Sequence, residues 1–204
     1  MVKLMMAFND LAVANEGLSI AKAELATKPN DKSRGAGMYF VRLQASHLYE
    51  AMKIVDAIAS NPRLRAVING CSEKCRTAFE RLMNLRQGNN QQRKFKQFVG
   101  QLRNNLTFHY DESGRLIKRA MTRRASNAIG NHTSITRGTD PYTWRFAIAD
   151  DVVDTVVCRE IWKISDSADL RTEADAAATY GHQVVVDFAD FASVLIVKYV
   201  HDGA

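Results

Sequence analysis

Phe95-Lys96-Gln97-Phe98-Val99-Gly100-Gln101-Leu102-Arg103-Asn104-Asn105-Leu106-Thr107-Phe108-His109-Tyr110-Asp111 is the stretch whose reading decides the fold class. Its apolar residues Phe95, Phe98, Val99, Leu102 and Leu106 recur at spacings of three and four, the pattern of a half-buried helix and not of a strand. The pattern predicts a helix from Gln91 to about Tyr110, closed by the turn Asp111-Glu112-Ser113-Gly114. His109 continues the stripe beyond Leu106, and Arg103 lies on its edge, one turn beyond Val99. A permanent cation and an imidazole thus stand where packing alone would select Leu or Ala.

The same periodicity extends in both directions along the chain. Leu4, Phe8, Leu11, Leu18 and Leu25 mark one face of a first helix, with Ala7, Ala14 and Ala21 close by. It should stop before Lys28-Pro29, because the residue preceding a proline avoids the helical region. Lys32 to Gly37, with two glycines, reads as a loop. A second helix is expected from about Met38 to Ala59, with Val41, Leu48, Met52, Val55 and Ile58 inward and Asn61-Pro62 ending it. A short helical turn follows from Pro62 to Ile68. Ser72 then caps a third long helix with Cys71, Cys75, Ala78, Phe79, Leu82 and Leu85 on one side. Beyond the quoted stretch, Arg115 to Ala128 reads as a basic helix and Ile129 to Tyr142 as a long loop. Ala149 to Ile164 fits helical spacing, with a short strand through Val152–Val157 as the alternative, and Leu170 to about His201 is the last helix. Strand signals are nearly absent. The fold class is therefore all-α, an antiparallel helical bundle of about four to six helices, with residues 1–204 as one domain.

With 204 residues the chain can bury a core without disulfide or metal staples. Lys and Arg number 28 against 22 Asp and Glu, and the net charge of +6 favours a polyanionic partner as a statement about association only. The charges Lys3, Asp10, Glu16 and Lys22 break up any secretory leader. Asp187, Asp190 and Lys198 interrupt the most apolar segment, so no membrane association is expected. Three cysteines, an odd set, fit a reducing cytoplasm. Cys71 and Cys75 have no second pair at zinc-ligand spacing. Asp150, Asp151 and Asp154 form an acidic patch better used at a helix start than on a metal. No phosphate loop, dinucleotide fingerprint or serine elbow is present, and neither metal nor cofactor is expected.

Arg103, followed by Asn104 and after four more residues by His109, stands late in a helix of an all-helical chain. This resembles the motif of the HEPN superfamily, in which an Arg, often followed by a polar residue, precedes a His by four to six positions. Those are small helical-bundle proteins, many of them metal-independent ribonucleases of toxin–antitoxin and antiviral defence systems. The resemblance implies a metal-independent endoribonuclease acting as a toxin or defence effector. It also implies a homodimer with two motifs facing across a cleft, and an antitoxin or regulatory protein as a further partner. Such cleavage needs a base for the ribose 2′-hydroxyl, an acid for the departing 5′-oxygen and a cation for the phosphorane. Imidazole titrates near working pH and guanidinium bonds two phosphate oxygens at once. The resemblance assigns phosphate binding to Arg103, proton transfer to His109 and an assisting role to Asn104. Tyr110 directly follows His109, whereas some HEPN toxins carry a tyrosine two residues after the motif His.

Other readings of the same residues remain open. On a regular helix the Cα atoms of Arg103 and His109 stand roughly 120° apart around the axis and about 9 Å apart along it. The long Arg side chain, a loosened helix end or a second subunit would have to close that gap. His109 also fits a core histidine bonded to a backbone carbonyl, and Arg103 a salt-bridge partner. Lys94, Lys96, Arg115, Lys118, Arg119, Arg123 and Arg124 flank the motif. They can track the phosphates of RNA with salt-sensitive affinity, or form a solvated or protein-binding face. Phe95, Phe98, Phe108 and Tyr110 are read as core and not as base-stacking platforms. Two functions follow: a HEPN-type endoribonuclease, or a non-catalytic helical module that binds RNA or a protein through its basic face.

Overall fold

In the computed structural model, which describes residues 1–27, 31–86, 88–102, 113–126, 135–136, 139–140 and 145–201, the helical periodicity is realised as an all-α bundle. The first helix, α1 (Val2–Thr27), turns Leu4, Ala7, Leu11, Ala14, Leu18 and Ala21 inward. Large and small side chains alternate along that seam, so α2 (Asp31–Ala59) packs along most of its length. Only residues 28–30 join the two helices, which makes them antiparallel neighbours. Val41, Leu48, Met52, Val55 and Ile58 of α2 are all buried, as their spacing predicts.

Asn61 ends α2 and caps α3 (Pro62–Asn69), its side chain accepting from the amides of Arg63 and Leu64. Ser72 caps α4 (Glu73–Asn84) by accepting from the Cys75 amide at 3.4 Å. This short helix lies along the last and longest one, α8 (Leu170–His201). Lys74 meets Asp190 at 2.7 Å and Arg81 meets Asp187 at 3.2 Å, so α4 and α8 run in opposite directions. Between them Phe79 stacks at a tilt on Phe191, with ring centres 5.2 Å apart. Fully buried Phe188, Phe191 and Leu195 place α8 at the centre, and each such side chain is worth roughly 2–3 kcal/mol of burial.

The remaining elements are α5 (Asn90–Leu102), α6 (Arg115–Ser126) and α7 (Ala147–Thr155), the last continuing into a π-helical turn over Val156–Ile161. Their buried residues join the same hydrophobic cluster as those of α1, α2, α4 and α8. No described helix is long and apolar enough to cross a membrane.

Three expectations change. Eight α-helices are present among the described residues where a bundle of about four to six was expected, the short α3 and α7 counting beside the longer ones. The Lys32–Gly37 stretch is not a loop but the first turns of α2. Each glycine there costs roughly 1 kcal/mol relative to Ala, and packing along α1 outweighs that. The Ile129–Tyr142 region, described only in part, contributes β1 (Ile135–Thr136), which pairs antiparallel with β2 (Arg145–Phe146). The Val152–Val157 segment is helical, as its spacing favoured, and the alternative strand does not form.

Candidate nucleic-acid interface

The expected catalytic residues Arg103, Asn104 and His109 lie outside the described residues, as does the second half of the helix predicted to Tyr110. What leads up to them is described. Phe95, Phe98, Val99 and Leu102 of α5 are all buried, so the stripe read from the sequence holds the helix on the core up to the residue before Arg103. On the far side of that segment, Ser113 and Gly114 open α6.

The basic residues of α6 divide into two groups. Arg115, Lys118, Arg119, Thr122, Arg123 and Ser126 recur at spacings of three and four, and they form one wall of a groove of about 770 Å³. Glu160 and Asp166 face them across it. Arg119 approaches the Glu160 carboxylate at 3.8 Å and Arg123 at 3.4 Å, while Arg123 and Arg159 both pair with Asp166. Glu160 is a buried carboxylate, so these arginines offset its desolvation before they serve any ligand. Arg124 points elsewhere and donates to Asp151 at 3.1 Å. Arg115 and Lys118 are exposed and carry no ion pair among the described residues. Four cations against two carboxylates leave the groove net positive, with its uncommitted charge at the end nearest Ser113.

Lys94 and Lys96 belong to α5 and do not line this groove. Lys96 is exposed. Lys94 instead covers a second hollow, its Nζ 4.4 Å from the centre of the Tyr180 ring. The hollow is about 200 Å³ and lies between α5, the first turns of α8 and the segment that follows the π-helical turn. Phe98 and Trp162 stack there with centres 5.6 Å apart, and Phe98 meets Tyr180 edge-on at 5.8 Å. Gln97 donates to the Trp162 carbonyl at 2.8 Å. The Tyr180 hydroxyl is buried and has no hydrogen-bond partner among the described residues, and burial pushes its pKa up to about 12.

One piece of backbone separates the two hollows. From Val156 to Trp162 every residue except Arg159 is buried, a demand no amphipathic α-helix meets, and the chain widens into a π turn. Lys163 then takes a φ of 59° in the left-handed region, where glycine is usual and another residue costs on the order of 1 kcal/mol. The Ile164 amide reaches back to the Cys158 carbonyl at 3.0 Å, a helix closure one residue wider than usual. Glu160 and Asp166 consequently face the basic groove, and Trp162 and Ile164 line the aromatic hollow.

Sequence reasoning missed Glu160, Asp166 and Tyr180. Their partners lie 37 or more residues away for Arg123 with Glu160, and 82 for Phe98 with Tyr180, beyond the reach of any local pattern. Among the described residues no three metal-ligating side chains cluster. Asp150 stands in the first turn of α7, the use expected for it. Cys71, Cys75 and Cys158 are free and buried, and burial raises the thiols of Cys75 and Cys158 to about 12. No family model matches the chain, and no curated protein or solved structure is similar to it.

Proposed function

We propose that the chain is a metal-independent endoribonuclease of HEPN type, with Arg103 binding the scissile phosphate, His109 transferring protons and Asn104 assisting. What supports the reading is the sequence motif together with the basic α6 groove, whose helix begins six residues after His109 in the chain. Leu102, fully buried, anchors the chain one residue before Arg103, and Ser113 resumes it four residues after His109. Ser113 lies at the end of the groove where Arg115 and Lys118 carry no ion pair among the described residues.

Because Arg119, Arg123 and Arg124 are engaged by carboxylates, strand binding falls chiefly to Arg115 and Lys118. That engagement also favours the second reading, a module that binds RNA without turnover. The two separate in one experiment. Purified protein is incubated with single-stranded RNA in EDTA beside His109→Ala. Cleavage by the wild type alone, leaving 2′,3′-cyclic phosphate ends, is expected, with unchanged helicity in the variant. Binding without cleavage by either protein overturns the nuclease and leaves the module. Full activity of His109→Ala, or cleavage that requires magnesium, overturns the mechanism.

A further inference from the structure

One helix of the bundle is apolar on its outer face as well as its inner one. The inner seam of α1 is buried, chiefly against α2 and α8. Its outer face carries Val2, Met6, Val13 and Ile20, each between 55% and 70% exposed. At 100° per residue these four fall within an arc of about 40°, and they run for about 27 Å along the helix. The other exposed large apolar side chains among the described residues are scattered, one or two to an element. Single exposed apolar residues are ordinary, whereas a contiguous stripe on a helix that is apolar all round marks a surface meant to be covered.

Spacing and charge narrow the occupant. Met6, Val13 and Ile20 stand seven residues apart, the repeat by which one helix winds on another. A lipid surface suits the stripe less, because interfacial helices are rich in Lys and Arg and α1 has two lysines against three carboxylates. A second copy of α1 fits. Laid antiparallel with Val13 on the two-fold axis, each copy sets its Met6 over Ile20 of the other, as a self-complementary surface requires. Lys3 of one copy then stands beside Glu24 of the other, and Glu16 beside Asn9. Neither Lys3 nor Glu24 has an ion pair within the chain among the described residues. Asp10 is turned to α2, where it meets His47 at 3.7 Å. A parallel pair would instead press Glu16 of each copy against the other, and like charges in apposition are costly.

We propose that the outer face of α1 is a homodimer interface, with two copies of the helix packed antiparallel about Val13. None of the four stripe residues lines the basic groove, so the grooves of both copies stay open. This surface differs from the motif-facing one that the HEPN resemblance implies, and it stands whether or not the chain cleaves RNA.

Sedimentation equilibrium of the full chain from ~1 to ~200 µM tests it. A monomer–dimer equilibrium is expected, and Val13→Glu, at an exposed position, should weaken it about 100-fold with helicity unchanged. Lys3→Glu should weaken it about fivefold at low salt, and Lys3→Glu combined with Glu24→Lys should restore it. Val13→Cys, oxidised with copper phenanthroline, should link two copies, and the three native cysteines are buried out of its way. Val2→Cys should not, because its two copies lie about 33 Å apart along an antiparallel pair. If Val13→Glu loses helicity, the charge swap and the cross-links decide. A wild type that stays monomeric throughout, or a dimer indifferent to Val13→Glu, overturns the proposal. So does cross-linking through Val2→Cys as fast as through Val13→Cys, which marks a parallel pair. Co-flotation of monomeric protein with phosphatidylserine vesicles, lost in Val13→Glu, assigns the stripe to lipid and overturns it too.

Discussion

Two regions of this molecule obey local rules to different degrees. Where α1, α2, α4 and α8 meet, large and small apolar residues alternate, caps are in place, and the ion pairs Lys74–Asp190 and Arg81–Asp187 are at good distances. Where α5, α6 and the π-helical turn meet, a carboxylate is buried, a tyrosine hydroxyl is unpartnered and a lysine adopts a left-handed backbone. Sequences generally keep local and global preferences in agreement and depart from that agreement at functional sites. The left-handed residue and the π turn fall in the segment between the hollows, whereas buried polar groups occur in both regions, Ser46 of α2 and Asp187 of α8 among them. The first region holds most of the buried apolar side chains, and the second carries the backbone irregularities.

The comparison can be broken by substitution. The largest effect is expected in the first region. Phe188→Ala, at a fully buried position on α8, should cost about 3–5 kcal/mol in a urea unfolding series, the transfer of the ring plus the cavity left behind. A loss under about 1 kcal/mol there would show that α8 is not the structural centre.

Two glycines sharpen the contrast at smaller cost. Gly181→Ala drives a methyl into the Phe98 ring, which is buried against Trp162 and cannot swing away, so a net loss of about 1–3 kcal/mol is expected together with a change in Trp162 emission. Gly37→Ala sits in α2 with open space around it and should stabilise the protein by about 1 kcal/mol. Equal and favourable effects at both sites would mean that the hollow is soft.

The smallest effect is a titration that touches both regions. The thiols of Cys75 and Cys158 and the Tyr180 hydroxyl are all raised to about 12 by burial, from ordinary values near 9 for the thiols and 10 for the phenol. Raised acids stabilise the fold fully below their unfolded-state pKa, and that contribution is lost as pH climbs toward the folded value. Stability should hold at neutral pH and begin to fall above pH about 9, by on the order of 1 kcal/mol per thiol at pH 10. Cys158→Ala should flatten part of this decline, and an unaltered profile in that variant would place the alkaline loss elsewhere.

The stripe Phe95, Phe98, Val99 and Leu102 was legible in the sequence because helix burial imposes a period of three and four on residues close in the chain. For the same reason Ser72 announced itself as a cap, Asn61-Pro62 as a helix end, and α8 as the long apolar helix at the end, while the capping role of Asn61 on α3 emerged only in the structure. The basic composition of α6 was equally plain. What its arginines face was not, since Glu160 and Asp166 are remote in sequence and reach the groove only through a widened helical turn. The glycines near Lys32–Gly37 misled, because local propensity signals a loop there while the packing of α2 along α1 outweighs it. Sequence by itself determined the helices, their inward faces and the charge of the chain, since each depends on near neighbours. Tertiary structure alone decided which charges are already neutralised, where the two hollows lie and that one strained segment separates them, because those depend on contacts between residues far apart in the chain.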